Sequence, residues 1–147
     1  LASTYGESAR QAVRVFAGSG AKLLVVGEVL EGAQSPSTDI CKDLEARGIR
    51  VLWGTALGAM SAFTRDQTAL VIADAYRRIS EGFKVACEIT LMAASQGFIQ
   101  TGQKVLAIGG THRGSDTVVV VRAASFTDFK DFEIHEILCK PYRRKGQ

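Results

Sequence analysis

Between Val85 and Ala94 the chain is apolar on almost every side, with Ala86, Cys87, Ile89, Leu91, Met92 and Ala93 leaving little polar face for a helix to turn toward water. A helix apolar nearly all round is stable only when enclosed. This stretch is therefore expected to be the central helix of a core that the rest of the chain wraps. With 147 residues, 46% of them hydrophobic, the chain is long enough for one such core. A charged fraction of 22% and only two prolines argue against disorder. No repeat or linker marks a second domain, so residues 1–147 are expected to form one.

Four short runs rich in branched residues, Leu23 to Val26, Ile49 to Trp53, Val105 to Ile108 and Val118 to Val121, read as strands buried on both faces. Helical patterns lie between them: Glu7 to Ala17, Pro36 to Arg47, Arg65 to Ser80 and Phe83 to Gln96. The second has Ser35 as cap, Pro36 in the first turn and Gly48 just past the end. In the third, Ala69, Ile72, Ala73, Tyr76 and Ile79 share one face, and Gly82 is expected to break the helix. This alternation predicts an α/β fold with a mostly parallel sheet between helices. The connection from Gly109 to Asp116 is too short for a parallel crossover, so the strands it joins should pair antiparallel and make the sheet mixed. Glu133 to Cys139 reads as an edge strand or a cover for the sheet.

The formal charge of +3 comes partly from Arg143, Arg144 and Lys145, a cluster read as a solvated tail, so no nucleic-acid partner is expected. Cys41, Cys87 and Cys139 are odd in number and sit in apolar stretches, which suits buried reduced thiols and a cytoplasmic setting. No apolar run reaches the length of a membrane span, and no membrane partner is expected. The chain opens on Leu1 rather than on an initiator methionine, so an upstream segment is an open expectation.

Three places can carry chemistry. Ser3, Thr4, Tyr5, Gly6, Glu7 and Ser8 form a small hydroxyl-rich loop running into a helix. The first turn of a helix offers unpaired N–H groups and a partial positive charge, the makings of a phosphate cradle. An ordinary capped helix start, with Ser3 or Thr4 as cap and Glu7 completing a capping box, explains the same residues. The second place is Gly109, Gly110, Thr111, His112, Arg113, Gly114, Ser115, Asp116 and Thr117. There Arg113 can fork onto a phosphate and freed amides can form an anion nest; a plain glycine-rich hairpin is the competing reading. The loop lacks the lysine spacing of a Walker motif and is no dinucleotide fingerprint. The third is Glu88, the only charge between Lys84 and Lys104, which needs a partner on a buried helix. It can accept from ligand hydroxyls or pair with Lys84 one turn earlier. His112, His135 and the three cysteines show no metal-ligand spacing, and no nucleophile motif is present, so neither a metal nor covalent catalysis is expected.

The segments GFKVACEITLMAASQG (82–97) and VLAIGGTHRGSDT (105–117), with the STYGESA start and the EIHEILC close, resemble stand-alone archaeal and bacterial proteins of the pyruvate kinase alpha/beta domain-like family. The resemblance covers nearly the whole chain. It implies a three-layer α/β/α fold like the C-terminal domain of pyruvate kinase, with a mixed, mostly parallel sheet. In that domain a Ser/Thr-Gly-Ser loop and a later glycine-rich loop hold a sugar bisphosphate effector. The resemblance thus implies that residues 3–8, with Gly110, Arg113 and Thr117 opposite, bind a phosphorylated small molecule. Flavin mononucleotide is one candidate, its ring lying against Thr55 to Met60 or Met92. The barrel domain with the kinase's metal, substrate and catalytic lysine is absent, so no kinase activity is expected. A flavin-dependent oxidoreductase and a regulatory or oligomerisation module are the alternatives, and a homo-oligomer is expected. Family members carry a further strand and helix before the phosphate loop, so either upstream residues are expected to be missing from this sequence or an edge of its sheet to be exposed.

Overall fold

The computed structural model describes residues 1–28, 38–54 and 68–142. In chain order these are α1 (Glu7–Val15), β1 (Leu24–Glu28), α2 (Thr38–Ala46), β2 (Arg50–Gly54), α3 (Thr68–Arg77), α4 (Glu81–Ser95), β3 (Lys104–Gly109), β4 (Thr117–Arg122) and β5 (Glu133–Cys139), with a 3₁₀ turn at Phe129–Asp131. The fold is mixed α/β. Ser35, Pro36, Arg65, residues 55–60 and the basic cluster Arg143 to Lys145 lie outside the described residues.

β1 pairs with β2 in parallel, with Val25 opposite Val51. β3, β4 and β5 form a separate antiparallel sheet with β4 in the middle. The parallel pairing expected to dominate is confined to β1–β2 and a bridge from Ala2 to Val26. The reason is chain length: the connections 110–116 and 123–132 are shorter than the dozen or so residues a crossover needs. The antiparallel pairing of β3 with β4 and the edge position of β5 are as the sequence predicts.

Residues 1–3 hold the two sheets together. Ser3 N–H donates to the Val26 carbonyl and Val26 N–H to that of Leu1, both at 2.9 Å. On the other side Ala2 N–H donates to the Ile108 carbonyl of β3, also at 2.9 Å. The short segment thus fills a strand position between β1 and β3.

Packing follows from the alternation of side chains along a strand. Val25 packs with Ala9 of α1 and Leu44 of α2. The next residue, Val26, packs with Ile89, Met92 and Ala93 of α4. Nearer the start of α4, Phe83, Ala86 and Cys87 pack against Ala107, Val119 and Val121. From Gly82 to Ala93 all but Val85 are buried, as an all-round apolar helix requires.

Two expectations are corrected here. Gly82 does not break a helix; α3 ends at Arg77, and Ser80 caps α4 by accepting from Phe83 N–H at 2.9 Å. Gly82 sits in the first turn of α4, where a Cβ would run into Asp116 and Thr117. In β4 only Thr117, Val119 and Val121 are buried, so the valine run is covered on one face rather than two. The cysteines also differ from one another: Cys87 is buried, Cys41 half-buried and Cys139 exposed, and all three are free thiols. Among the described residues no helix is long and apolar enough to cross a membrane.

Candidate functional site

The segment that joins the sheets runs directly into the first loop. Ser3 ends the stretch paired to β1, and its buried hydroxyl accepts from Ala9 N–H at 3.1 Å. Ser3, not the formal N-cap Gly6, therefore caps α1 with its side chain. Thr4 Oγ1 accepts from Glu28 N–H at 3.3 Å and ties the loop to the end of β1. Both hydroxyls are engaged by the protein itself. Gly6 has φ 86°, and a Cβ there would strike Ile40 of α2, so its glycine serves backbone geometry and helix packing. Among the described residues no acceptor faces the amides of Glu7 and Ser8, the first two of α1.

The second loop is shaped by Asp116. One carboxylate oxygen accepts from Thr111 N–H at 3.2 Å and the other from Thr117 Oγ1 at 2.8 Å. The chain closes on itself where Asp116 N–H donates to the Gly109 carbonyl at 3.0 Å. His112 takes a left-handed conformation with φ 59°, which non-glycine residues seldom adopt. Arg113 and Gly114 lie exposed at the tip.

Both loops open on one cleft of about 1390 Å³. Ser3, Thr4, Tyr5, Glu7 and Ser8 line it from one side, and Gly110, Thr111, His112, Arg113 and Gly114 from another. The carboxyl end of β1 and one side of α4, including Glu88, also line it. Gly6, Gly109, Ser115, Asp116 and Thr117 are not among the lining, and three of them are packed into the protein. Gly6 is turned into the α1–α2 contact, and Gly109 is pressed against the Gly82 carbonyl of α4. Thr117 is fully buried, bonded to Asp116 and, at 3.1 Å, to the Ser80 hydroxyl. In each case close packing, not access to a ligand, explains the residue.

Glu88 meets Lys84 Nζ at 2.7 Å, the pairing one turn apart that the sequence offered. Arg77 is held by Asp74 and Glu81, both at 2.9 Å. Arg78 and Arg113 also line the cleft, and neither has an ion-pair partner among the described residues. Lys140, at the end of β5, donates to the Pro141 carbonyl at 3.0 Å. Sequence reasoning missed Arg78 and Lys140 because each sits next to the cleft only through tertiary packing. Asp116 it saw only as a loop member, although an aspartate after a Gly-rich stretch is a known signal for a side chain that bonds nearby backbone.

Beneath the cleft, burial pushes the Cys87 thiol up to about 12, with the neighbouring Glu88 carboxylate adding to the shift. A thiol so placed is inert as a nucleophile. Amides at a helix start and guanidinium groups, both without an acceptor or ion-pair partner among the described residues, are groups that can hold an anion, and the cleft they line has room for more than a phosphate. No protein-family model matches the chain.

Proposed function

We propose that the protein binds a phosphorylated small molecule, of the flavin mononucleotide or sugar phosphate type, in the cleft between the 3–8 and 110–114 loops. The observation that carries this reading is convergence. Two loops far apart in sequence, each with phosphate-binding chemistry, line the same cleft, at the carboxyl ends of β1 and β3. The phosphate belongs at the free amides of Glu7 and Ser8, with Arg113 and Arg78 as counter-charges. Met92, one of the two places proposed for a flavin ring, lines the cleft. The reading fits a three-layer fold of the pyruvate kinase alpha/beta domain-like kind, acting in the cytoplasm and without kinase activity.

The test is equilibrium binding of flavin mononucleotide and of fructose 1,6-bisphosphate to the wild type and to Ser8→Ala/Arg113→Ala. Charge-assisted hydrogen bonds contribute about 1.5–3 kcal/mol each, so the double variant should bind at least about tenfold more weakly. Unchanged affinity removes the site. A flavin-dependent oxidoreductase additionally needs bound flavin that bleaches with a reductant and recovers with an acceptor.

A second reading, a homo-oligomer, is favoured by β5. All seven of its residues are exposed, Ile134, Ile137 and Leu138 among them, and its outer edge is unpaired among the described residues. Light scattering on the purified protein tests it, and a strictly monomeric species removes it.

A further inference from the structure

The side of α4 that faces the cleft carries two parallel columns. Lys84 and Glu88 form a polar one; Val85, Ile89 and Met92 form an apolar one beside it, at the three- and four-residue spacing of a helix face. From Lys84 to Met92 they run about 12 Å along the helix. Gly109 abuts the turn from Gly82 to Ala86, and Val26 packs with Ile89 and Met92, so the columns span from the start of the Gly-rich loop to the middle of β1.

The Lys84 and Glu88 side chains are 8% and 4% exposed, yet both line the cleft. A buried ion pair is weak evidence for stability, since apolar residues of similar volume often replace one at no loss. An ammonium group has three N–H donors, and among the described residues Glu88 is the one acceptor seen for those of Lys84. The pair therefore sets a donor and an acceptor side by side at the cleft wall, next to an apolar shelf.

We infer that Lys84 and Glu88 are specificity-determining residues that read the amide-like edge of a heteroaromatic ring, a carbonyl beside an N–H, while the ring face rests on Val85, Ile89 and Met92. Lys84 donates to the ring carbonyl, and Glu88 accepts from the ring N–H. This rests on the phosphate reading above and narrows it: of the two ligand types, the cleft takes the one with a ring. A sugar bisphosphate would bring a second dianion to this wall, with no ring to lie along it.

The test compares flavin mononucleotide, which carries such an edge, with ribitol 5-phosphate, which has the same phosphorylated tail and no ring. Binding of each is measured to the wild type, to Lys84→Met/Glu88→Gln and to Ser8→Ala/Arg113→Ala. The first double variant keeps side-chain volume and leaves no lone buried charge; its thermal unfolding shows whether it folds. The expected result is that the wild type prefers flavin mononucleotide by about tenfold or more, and that Lys84→Met/Glu88→Gln loses this preference while holding ribitol 5-phosphate unchanged. Equal wild-type affinity for the two compounds overturns the inference without any variant. So does a folded Lys84→Met/Glu88→Gln protein that keeps its preference. If Ser8→Ala/Arg113→Ala binds both compounds as the wild type does, the phosphate site is wrong and the ring assignment falls with it. Binding of neither compound by the wild type overturns both.

Discussion

β1 and β4 both contain consecutive valines and end in different surroundings. In β1, Val25 and Val26 are both buried, one against α1 and α2, the other against α4. In β4, Val119 and Val121 are buried while Val118 and Val120 stay half-exposed. Leu106 on β3, opposite Val120, is 46% exposed. The difference lies in how each strand is connected. β1 leads into a helix that returns to a parallel neighbour, whereas β4 is joined on both sides by short connections that bring no helix to its second face. An apolar run shows that a strand has a core face; whether the other face is covered depends on the connections.

The sharpest challenge to this contrast is whether the two halves unfold together. Phe83→Ala, in the antiparallel half, should cost about 3–5 kcal/mol, and Leu44→Ala, in the parallel half, about 2–5 kcal/mol. Denaturant titration followed by Trp53 fluorescence and by circular dichroism should show one shared transition for both variants. Separate transitions would mean that the residue 1–3 segment joins two independent units.

Per pH unit, alkaline pH gives a smaller effect. The Cys87 thiol has a folded-state value of about 12 against an ordinary 9.0, so the fold favours the neutral form. Its contribution is complete below pH 9 and is lost as pH rises toward 12, by up to about 1.4 kcal/mol per unit. Denaturant midpoints across that range should fall less steeply for Cys87→Ala than for the wild type.

Smaller again is a difference within one loop. Ser3→Ala removes the side-chain cap of α1 and should cost about 1 kcal/mol, while Ser8→Ala should leave stability within about 0.5 kcal/mol of wild type and act on ligand affinity. A Ser8→Ala protein destabilised as much as Ser3→Ala would show both hydroxyls to be structural. The smallest expected effect is at the open edge: Ile137→Thr on β5 should shift the unfolding midpoint by no more than about 0.5 kcal/mol equivalent. A larger loss, growing with protein concentration, would show that β5 is covered in solution.

Element types were legible because their signals are local. The all-round apolar run set α4, and the short 110–116 connection set the antiparallel pair. Glu133 to Cys139 matches β5 residue for residue. The start of α4 was misplaced because Gly82 looked like a helix breaker, while its true role, making room for Asp116 and Thr117, is a contact across the sheet. Of the candidate site, the two loops and Glu88 could be named from residue chemistry. That Gly6, Gly109 and Thr117 turn inward could not, because the glycines and threonine of a binding loop and of a packed one are the same residues.

The hydrogen bond from Ala2 to Ile108 joins distant parts of the chain, and the loop it anchors lines one side of the cleft. Such a non-local contact requires a long loop to close, so it is expected to belong to the late, fully assembled state. A partly folded chain would hold both loops and have no cleft. Occupancy of the cleft would therefore be thermodynamically linked to complete folding, and a ligand present at a hundred times its dissociation constant would stabilise the whole native state by about 2.7 kcal/mol.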